Sequence, residues 1–338
     1  MAKTSTIWKS SANLTELYKL IQLEMESVEL LLASNLIDDN VYIRELLGQI
    51  FQSGGKRLRP MVAILASYAS LPQPELSRNH IIHAALSELI HTASLVHDDV
   101  IDNSNLRRGK ATLNSEKNDK VAVLMGDLLF AQASVCLSRL MHPEIVGIYG
   151  QVLGDLCAGE IKQMLNAFNT NITIDTYIQK SIGKTATLFE AASCGGSILN
   201  QVNNSLVLDL KAYGLNLGIC FQIIDDLLDI LGKASELGKP LGSDLQNGVI
   251  TAPTIYVLQQ DHGDSLKLKE LIQKRLVNEP AGLAEAMTII KNNKGIESTI
   301  DLANKYADLS LKSLHNLSVS PYKDALETIV HQVIQQIN

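Results

Sequence analysis

Apolar residues return every third or fourth position along almost the whole chain, and that rhythm commits it to helices packed on helices. Leu17, Leu20, Ile21, Met25, Val28, Leu31 and Leu32 open the series. The same spacing recurs over 41–51, 60–71, 80–102, 120–141, 144–168, 175–194, 206–231, 251–260, 265–276, 283–291, 296–314 and 322–337. No stretch of clean period-two alternation competes with it. Asn13, with Glu16 three residues later, reads as a capping box at the head of the first helix. Breaks fall at Gly54-Gly55, in the polar stretch 103–119, and over 232–250, which is long for a helix–helix connection and therefore expected to be functional. No linker divides the 338 residues. The expectation is an all-α, single-domain bundle of about a dozen helices spanning 1–338.

Composition narrows the function. The chain is 46% hydrophobic and only 4% aromatic, enough for a sizeable core built mainly from Leu, Ile and Ala. Its net charge of −7 speaks against a nucleic-acid binder, so an anionic ligand must be held by a local basic cluster. Cys136, Cys157, Cys194 and Cys220 form no CxxC pair and read as reduced core residues rather than a disulfide framework or zinc site. No uncharged stretch has the length and hydrophobicity of a membrane span, and the N-terminus MAKTSTIWKS lacks a signal-peptide apolar core. A soluble protein of a reducing compartment is expected.

Two acidic clusters interrupt the apolar pattern. LVHDDVID carries Asp98, Asp99 and Asp102; FQIIDDLLDI carries Asp225, Asp226 and Asp229. Both are DDxxD. On a helix, residues four apart differ by about 40° around the axis, so Asp98 and Asp102 share a face, as do Asp225 and Asp229. Three carboxylates in one turn repel each other by tenths of a kcal/mol per pair even in water. Their neighbours Leu95, Val96, Ile223, Ile224, Leu227 and Leu228 are expected to be buried, which makes the repulsion worse. Hard carboxylate oxygens suit Mg²⁺, with Mn²⁺ as a substitute, and Mg²⁺ typically takes one or two carboxylates together with phosphate oxygens and water. A solvated acidic patch is the plain alternative for one cluster and a poor one for two identical clusters in apolar helices.

Basic residues supply the counterpart. In GGKRLRP the two glycines make a turn and Pro60 suits a first helical turn, so Lys56, Arg57 and Arg59 lie at a helix N-terminus. Cations there are disfavoured by roughly 0.3–1 kcal/mol each unless an anion is bound. A solvated basic turn is the alternative. Arg107, Arg108 and Lys110 follow the first acidic cluster, and an arginine pair suits bidentate phosphate recognition. Lys184-Thr185 and Gln222 lie in apolar helices, Lys239 and Asp244 in GKPLGSDLQNG, and His91 two turns before Asp98. No nucleophilic Ser or Cys in a recognisable setting and no Walker-type loop is present. A diphosphate used as leaving group therefore fits better than phosphoryl transfer.

Together, the two DDxxD motifs, GGKRLRP, LRRG, KT before FQxxDD, and GKPLGSDL resemble the trans-isoprenyl diphosphate synthases, from about residue 15 to the C-terminus. IHTASLVHDDVIDNS, VAVLMGDLLFAQAS, GEIKQ and DLQNGVITAPTIY resemble the long-chain, solanesyl-type branch of cyanobacteria and plastids. The resemblance implies the isoprenoid synthase fold with a central cavity, a homodimer, and the substrates isopentenyl diphosphate and an allylic diphosphate. It implies that Asp98, Asp99, Asp102, Asp225, Asp226 and Asp229 bind Mg²⁺ around the allylic diphosphate. Arg107, Lys184, Thr185, Gln222 and Lys239 would contact that diphosphate; Lys56, Arg59, His91 and Arg108 would hold isopentenyl diphosphate. Many members carry a lysine where this chain has Val249, so one contact is lost here.

Product length is read from the residues ahead of Asp98. Ser94 and Ala93 would lie about 6–8 Å below it on a helix, little more than one isoprene unit. Short-chain members place a bulky aromatic there; here both side chains are small. Ile90 is a partial stop one turn deeper, and Met125 and Leu129 an opposite wall. A long-chain all-trans product is expected, with a geranylgeranyl diphosphate synthase as the alternative. A terpene cyclase needs no second anion site, and a non-catalytic synthase subunit tends to lose an Asp cluster. A long apolar product calls for peripheral membrane contact at release. The cytoplasm is the expected location, or the plastid stroma if a transit peptide has been removed.

Overall fold

The computed structural model describes residues 12–34, 40–52, 55–71, 75–107, 109–232, 241–260 and 262–337. The expected helices follow one another: α1 (Ala12–Leu20), α2 (Gln22–Ser34), α3 (Val41–Gln52), α4 (Leu58–Ala69), α5 (Arg78–Ile101), α6 (Leu113–Glu116), α7 (Asp119–Leu140), α8 (Pro143–Leu165), α9 (Ile174–Ser181), α10 (Thr187–Leu199) and α11 (Asn204–Leu231). Shorter helices complete the chain, among them Ser243–Gln246, Ala252–Leu258, Gly295–Lys312 and Pro321–Ile334. The only strands among the described residues are Leu106–Arg107 (β1) and Lys110–Ala111 (β2), a two-residue antiparallel hairpin closed by Gly109 at φ 75°.

Two compact units divide the chain. One comprises Met1–Gln151, Leu188–Gly214 and Ser313–Ile329; the other comprises Val152–Thr187, Leu215–Lys312 and Val330–Asn338.

In the first unit α5 packs along α7, α4 and α2. Its inner face is apolar, with Leu86, Leu89, Ile90 and Ala93 wholly buried. The close approach of α5 to α7 depends on one missing side chain. A Cβ on Gly126 would stand 2.2 Å from Nε2 of His97, and that nitrogen lies 3.0 Å from the Val123 carbonyl. His83 is buried beneath Tyr149, whose hydroxyl lies 3.2 Å from Nδ1. In the second unit Gly159 of α8 meets Gly183, where Cβ atoms would come within 3.1–3.2 Å of the facing backbone.

Several sequence expectations need correction. The first helix is two, separated by a turn at the buried Ile21. It begins at Ala12, so Asn13 lies inside the helix and is not its cap; the Asn13 side chain falls outside the described residues. The helix read over 175–194 is interrupted by a π-helical turn, Ile182–Ala186. Cys157 is exposed and not a core residue; the other three cysteines are buried. Helix α7 is long and apolar enough by composition to cross a membrane, with mean hydropathy 1.7, and carries Asp127 near its middle; the same length and composition suit a core helix.

Candidate active site

The first Asp cluster ends α5. Asp98 is half-buried, Asp99 buried, and Asp102 is the exposed C-cap. Anions here face the negative end of the helix dipole. Asp99 is partly neutralised by Arg107 on β1, whose Nε and one terminal nitrogen both lie 2.8 Å from Oδ1. Burial still lifts the Asp99 carboxyl above its ordinary range; Arg107 opposes the rise and Asp102 adds to it. Asn114 donates to the Asp99 carbonyl and ties α6 to the end of α5.

The second cluster occupies the last turns of α11. Asp225 is exposed; Asp226 and Asp229 are each only 2% exposed. The Tyr177 hydroxyl donates to Asp226 Oδ2 at 2.7 Å and Gln222 Nε2 to Oδ1 at 2.7 Å. Thr185 donates to Gln222 Oε1 at 2.5 Å, so the amide is oriented from both ends. Asp229 accepts from the Ser243 hydroxyl and the Asp244 backbone N–H. Burial pushes the Asp226 carboxyl up to about 6; Lys180 and the Tyr177 hydrogen bond pull it down, and Asp244 and Asp225 push it further up.

Lys184 and Thr185 lie on the π-helical turn Ile182–Ala186. Such turns insert one residue into a helix and often mark functional sites. The glycine contact brings α8 close enough for Glu160 to pair with Lys184 at 2.6 Å.

The basic turn departs from expectation. Arg57, in left-handed backbone at φ 52°, is the N-cap of α4 and pairs with Glu29 and Glu88. It is therefore spent on carboxylates and not offered to an anion. Lys56 is half-buried; Arg59 is 8% exposed, its guanidinium carbon 4.4 Å from the Phe189 ring centre. His91, Asp99 and Arg107 share a cleft open to solvent, with Arg57 and Glu88 on its wall.

Of the length-determining candidates, Ile90 and Ala93 have no exposed surface and Met125 has 5%. Ser94 is half-buried and donates to the His91 carbonyl. Arg108 and Lys239 lie outside the described residues. Among the described residues no three carboxylate, imidazole or thiolate side chains converge as a ready-made metal cage. Within each cluster, accessible carboxylates stand beside buried ones whose charge is penalised: Asp98 and Asp102 beside Asp99, and Asp225 beside Asp226; such hard oxygens fit a divalent cation.

A family model described as polyprenyl synthetase matches residues 40–290. The chain belongs to the polyprenyl synthetase family. It is 37% identical over 340 residues to a protein named solanesyl-diphosphate synthase 2, chloroplastic, of Oryza sativa subsp. japonica, covering 100% of this chain and 83% of that one. It is similar in structure to a decaprenyl diphosphate synthase from Rhodobacter capsulatus, with TM-score 0.89 and 32% identity over 96% of this chain and 99% of that one. It is similar too to a polyprenyl synthase from Caulobacter crescentus CB15 complexed with calcium and isoprenyl diphosphate, with TM-score 0.90 and 30% identity over 95% and 97% of the two chains. The fold of this family member is thus the isoprenoid synthase fold.

Sequence reasoning missed Tyr177, Glu160, Glu88 and Glu29. Tyr177 precedes Lys184 by two turns and Glu88 precedes His91 by one, but neither spacing singles out a carboxylate or phenol without the partner helix. Glu160 was visible only as part of GEIKQ.

Proposed function

We propose that the chain is a trans-polyprenyl diphosphate synthase that condenses isopentenyl diphosphate with an allylic diphosphate and gives a long-chain, all-trans product. One observation carries the reading. Both DDxxD clusters sit in the last turns of long apolar helices, and each contains a buried carboxylate whose charge is disfavoured, by burial against Arg107 at Asp99 and by burial at Asp226. Such an arrangement is tolerable when cations and a diphosphate complete it.

In this reading the six aspartates serve one allylic diphosphate, and residues 1–338 work as one synthase domain. Asp98, Asp102 and Asp225 would be direct Mg²⁺ ligands, with Asp99, Asp226 and Asp229 behind them; bound there, Mg²⁺ or Mn²⁺ neutralises charge on the departing diphosphate. Arg107, Lys184, Thr185 and Gln222, with Lys239, hold the allylic diphosphate. Lys184 leaves Glu160 to do so. Lys56, Arg59, His91 and Arg108 hold isopentenyl diphosphate. The allylic C–O bond breaks, and the isopentenyl double bond attacks the allylic carbon. A proton then leaves to the released diphosphate, which closes the balance. Preorganised charge of this kind lowers such barriers by several kcal/mol.

A long product is supported by the relatives named solanesyl and decaprenyl synthases and by small Ser94 on the half-buried side of α5. A homodimer fits the apolar outer side of α7, where Val123, Leu124 and Val135 are exposed. Peripheral membrane contact for product release fits the exposed Ile161, Met164 and Leu165 on α8. The cytoplasm or plastid stroma is the proposed location.

The purified chain, given an allylic primer, isopentenyl diphosphate and Mg²⁺, is expected to elongate the primer to a long polyprenyl diphosphate. Farnesyl diphosphate as sole product overturns the length, a cyclic hydrocarbon made without isopentenyl diphosphate indicates a cyclase, and no turnover indicates a partner-dependent subunit. Ser94→Phe is expected to shorten the product seen by chromatography.

A further inference from the structure

Arg57 sits inside a basic motif and yet spends its charge on acids. Its Nε lies 2.6 Å from Glu29 Oε1, and one terminal nitrogen 2.9 Å from Glu88 Oε1. The other terminal nitrogen reaches Glu29 Oε2 at 3.4 Å. The Arg57 side chain is 14% exposed and that of Glu88 6%, so the pair is largely withdrawn from water, where such bonds are strongest and most costly to break. Burial opposes the arginine's charge, but Glu88 and Glu29 outweigh it and hold the guanidinium protonated. Its left-handed backbone, φ 52°, is strained for a residue with a Cβ and persists where surrounding contacts impose it.

The three partners belong to three elements. Glu29 is on α2, Glu88 on α5, and Arg57 heads α4. Lys56 and Arg59 flank Arg57, and His91 stands one helical turn beyond Glu88. Arg57, Glu88 and His91 line the same cleft.

We propose that Arg57 is a positioning residue for the isopentenyl diphosphate site: its fork on Glu88 and Glu29 fixes the turn carrying Lys56 and Arg59 against the helix carrying His91. The inference rests on the reading of these three residues as that site. It assigns Glu88 a role opposite to its charge. By Coulomb's law alone, deleting a carboxylate near a diphosphate site strengthens diphosphate binding. A clamp predicts the reverse.

The test compares Arg57→Gln, Arg57→Lys and Glu88→Gln with wild type. It uses steady-state kinetics for each substrate and calorimetric binding of isopentenyl diphosphate without metal. Arg57→Gln and Glu88→Gln are each expected to raise KM and Kd for isopentenyl diphosphate by about tenfold, with allylic KM within about twofold and kcat nearly kept, the pattern of lost uniform binding to one substrate. Arg57→Lys keeps the charge but not the fork, so it is expected to rescue less than half of the loss on a logarithmic scale. The double Gln variant is expected to be no worse than either single one. A lower isopentenyl KM in Glu88→Gln overturns the proposal, as does an equal rise in both KM values or full rescue by Lys. If Arg57→Gln fails to fold, Glu88→Gln, nearly isosteric, carries the same readout. If wild type binds isopentenyl diphosphate without elongating any primer, the functional reading fails while the binding comparison still judges the clamp.

Discussion

The two DDxxD clusters are alike as strings and unlike as environments. In the first, the buried member Asp99 faces a fixed cation, Arg107, on a small hairpin. In the second, the buried member Asp226 faces neutral donors, Tyr177 and Gln222, and is more deeply withdrawn from solvent. One cluster carries a cation in direct contact with its buried member. The other holds its buried member by neutral hydrogen bonds, with the charge of Lys180 acting without a contact as close as that of Arg107. The cost of holding a charge is correspondingly larger at Asp226, whose carboxyl is pushed up to about 6.

The largest expected effect treats the clusters as equals. Asp98→Ala and Asp225→Ala remove the first aspartate of each, and kcat/KM measured with Mg²⁺ is expected to fall about 10³-fold or more in both. A loss confined to one cluster would break the symmetry of their roles. Arg107→Ala then separates them. It strips Asp99 of its cation, so the acid limb of the pH–rate profile is expected to move upward, with a drop of about 10²-fold at neutral pH. Lys184→Ala, which removes the partner of Glu160, is expected to lower the rate with the acid limb in place.

The smallest effect concerns stability without metal. A carboxyl raised in the folded protein holds a proton that the unfolded chain has already released at the same pH. Asp226, raised from 3.8 to about 6, therefore stabilises below pH ~4, and that contribution is lost as pH rises toward 6. Buried His83, lowered from 6.5 to about 4, acts with the opposite sign in the same window, so wild type alone is uninformative. The difference between wild type and Asp226→Asn in chemical denaturation isolates the aspartate. It is expected to shift against wild type by roughly 3 kcal/mol at most between pH 4 and 6. Tyr177→Phe, with one donor lost, is expected to widen that window upward by about one pH unit.

Most of the fold was legible because period and punctuation carry helix packing directly. The ranges read over 41–51, 80–102, 120–141 and 206–231 match α3, α5, α7 and α11 to within a residue or two. The turn at Ile21 was not legible, since a buried Ile is compatible with a straight helix as well as a break. Nor was the π-helical turn at Ile182–Ala186, because one inserted residue hardly disturbs a period-3.6 pattern. At the site, both Asp clusters, Arg107 and the basic turn stood out by local charge in apolar surroundings. Tyr177, Glu160 and the Arg57–Glu88 pair did not. Each matters through a partner distant in sequence, and no local pattern encodes that partner. Arg57 in particular was assigned by its company to anion binding, and only Glu29 and Glu88 reveal where its charge goes.

The contact of His97 with the bare backbone of Gly126 has a consequence for measurement. A roll of α5 by one residue would turn it by about 100° and swap Ser94 for another side chain at the same depth. The imidazole seated where a methyl group is missing blocks that roll. If α5 is the ruler against which a growing hydrocarbon is cut to size, the zero of its scale is set by an absent carbon atom on the neighbouring rod.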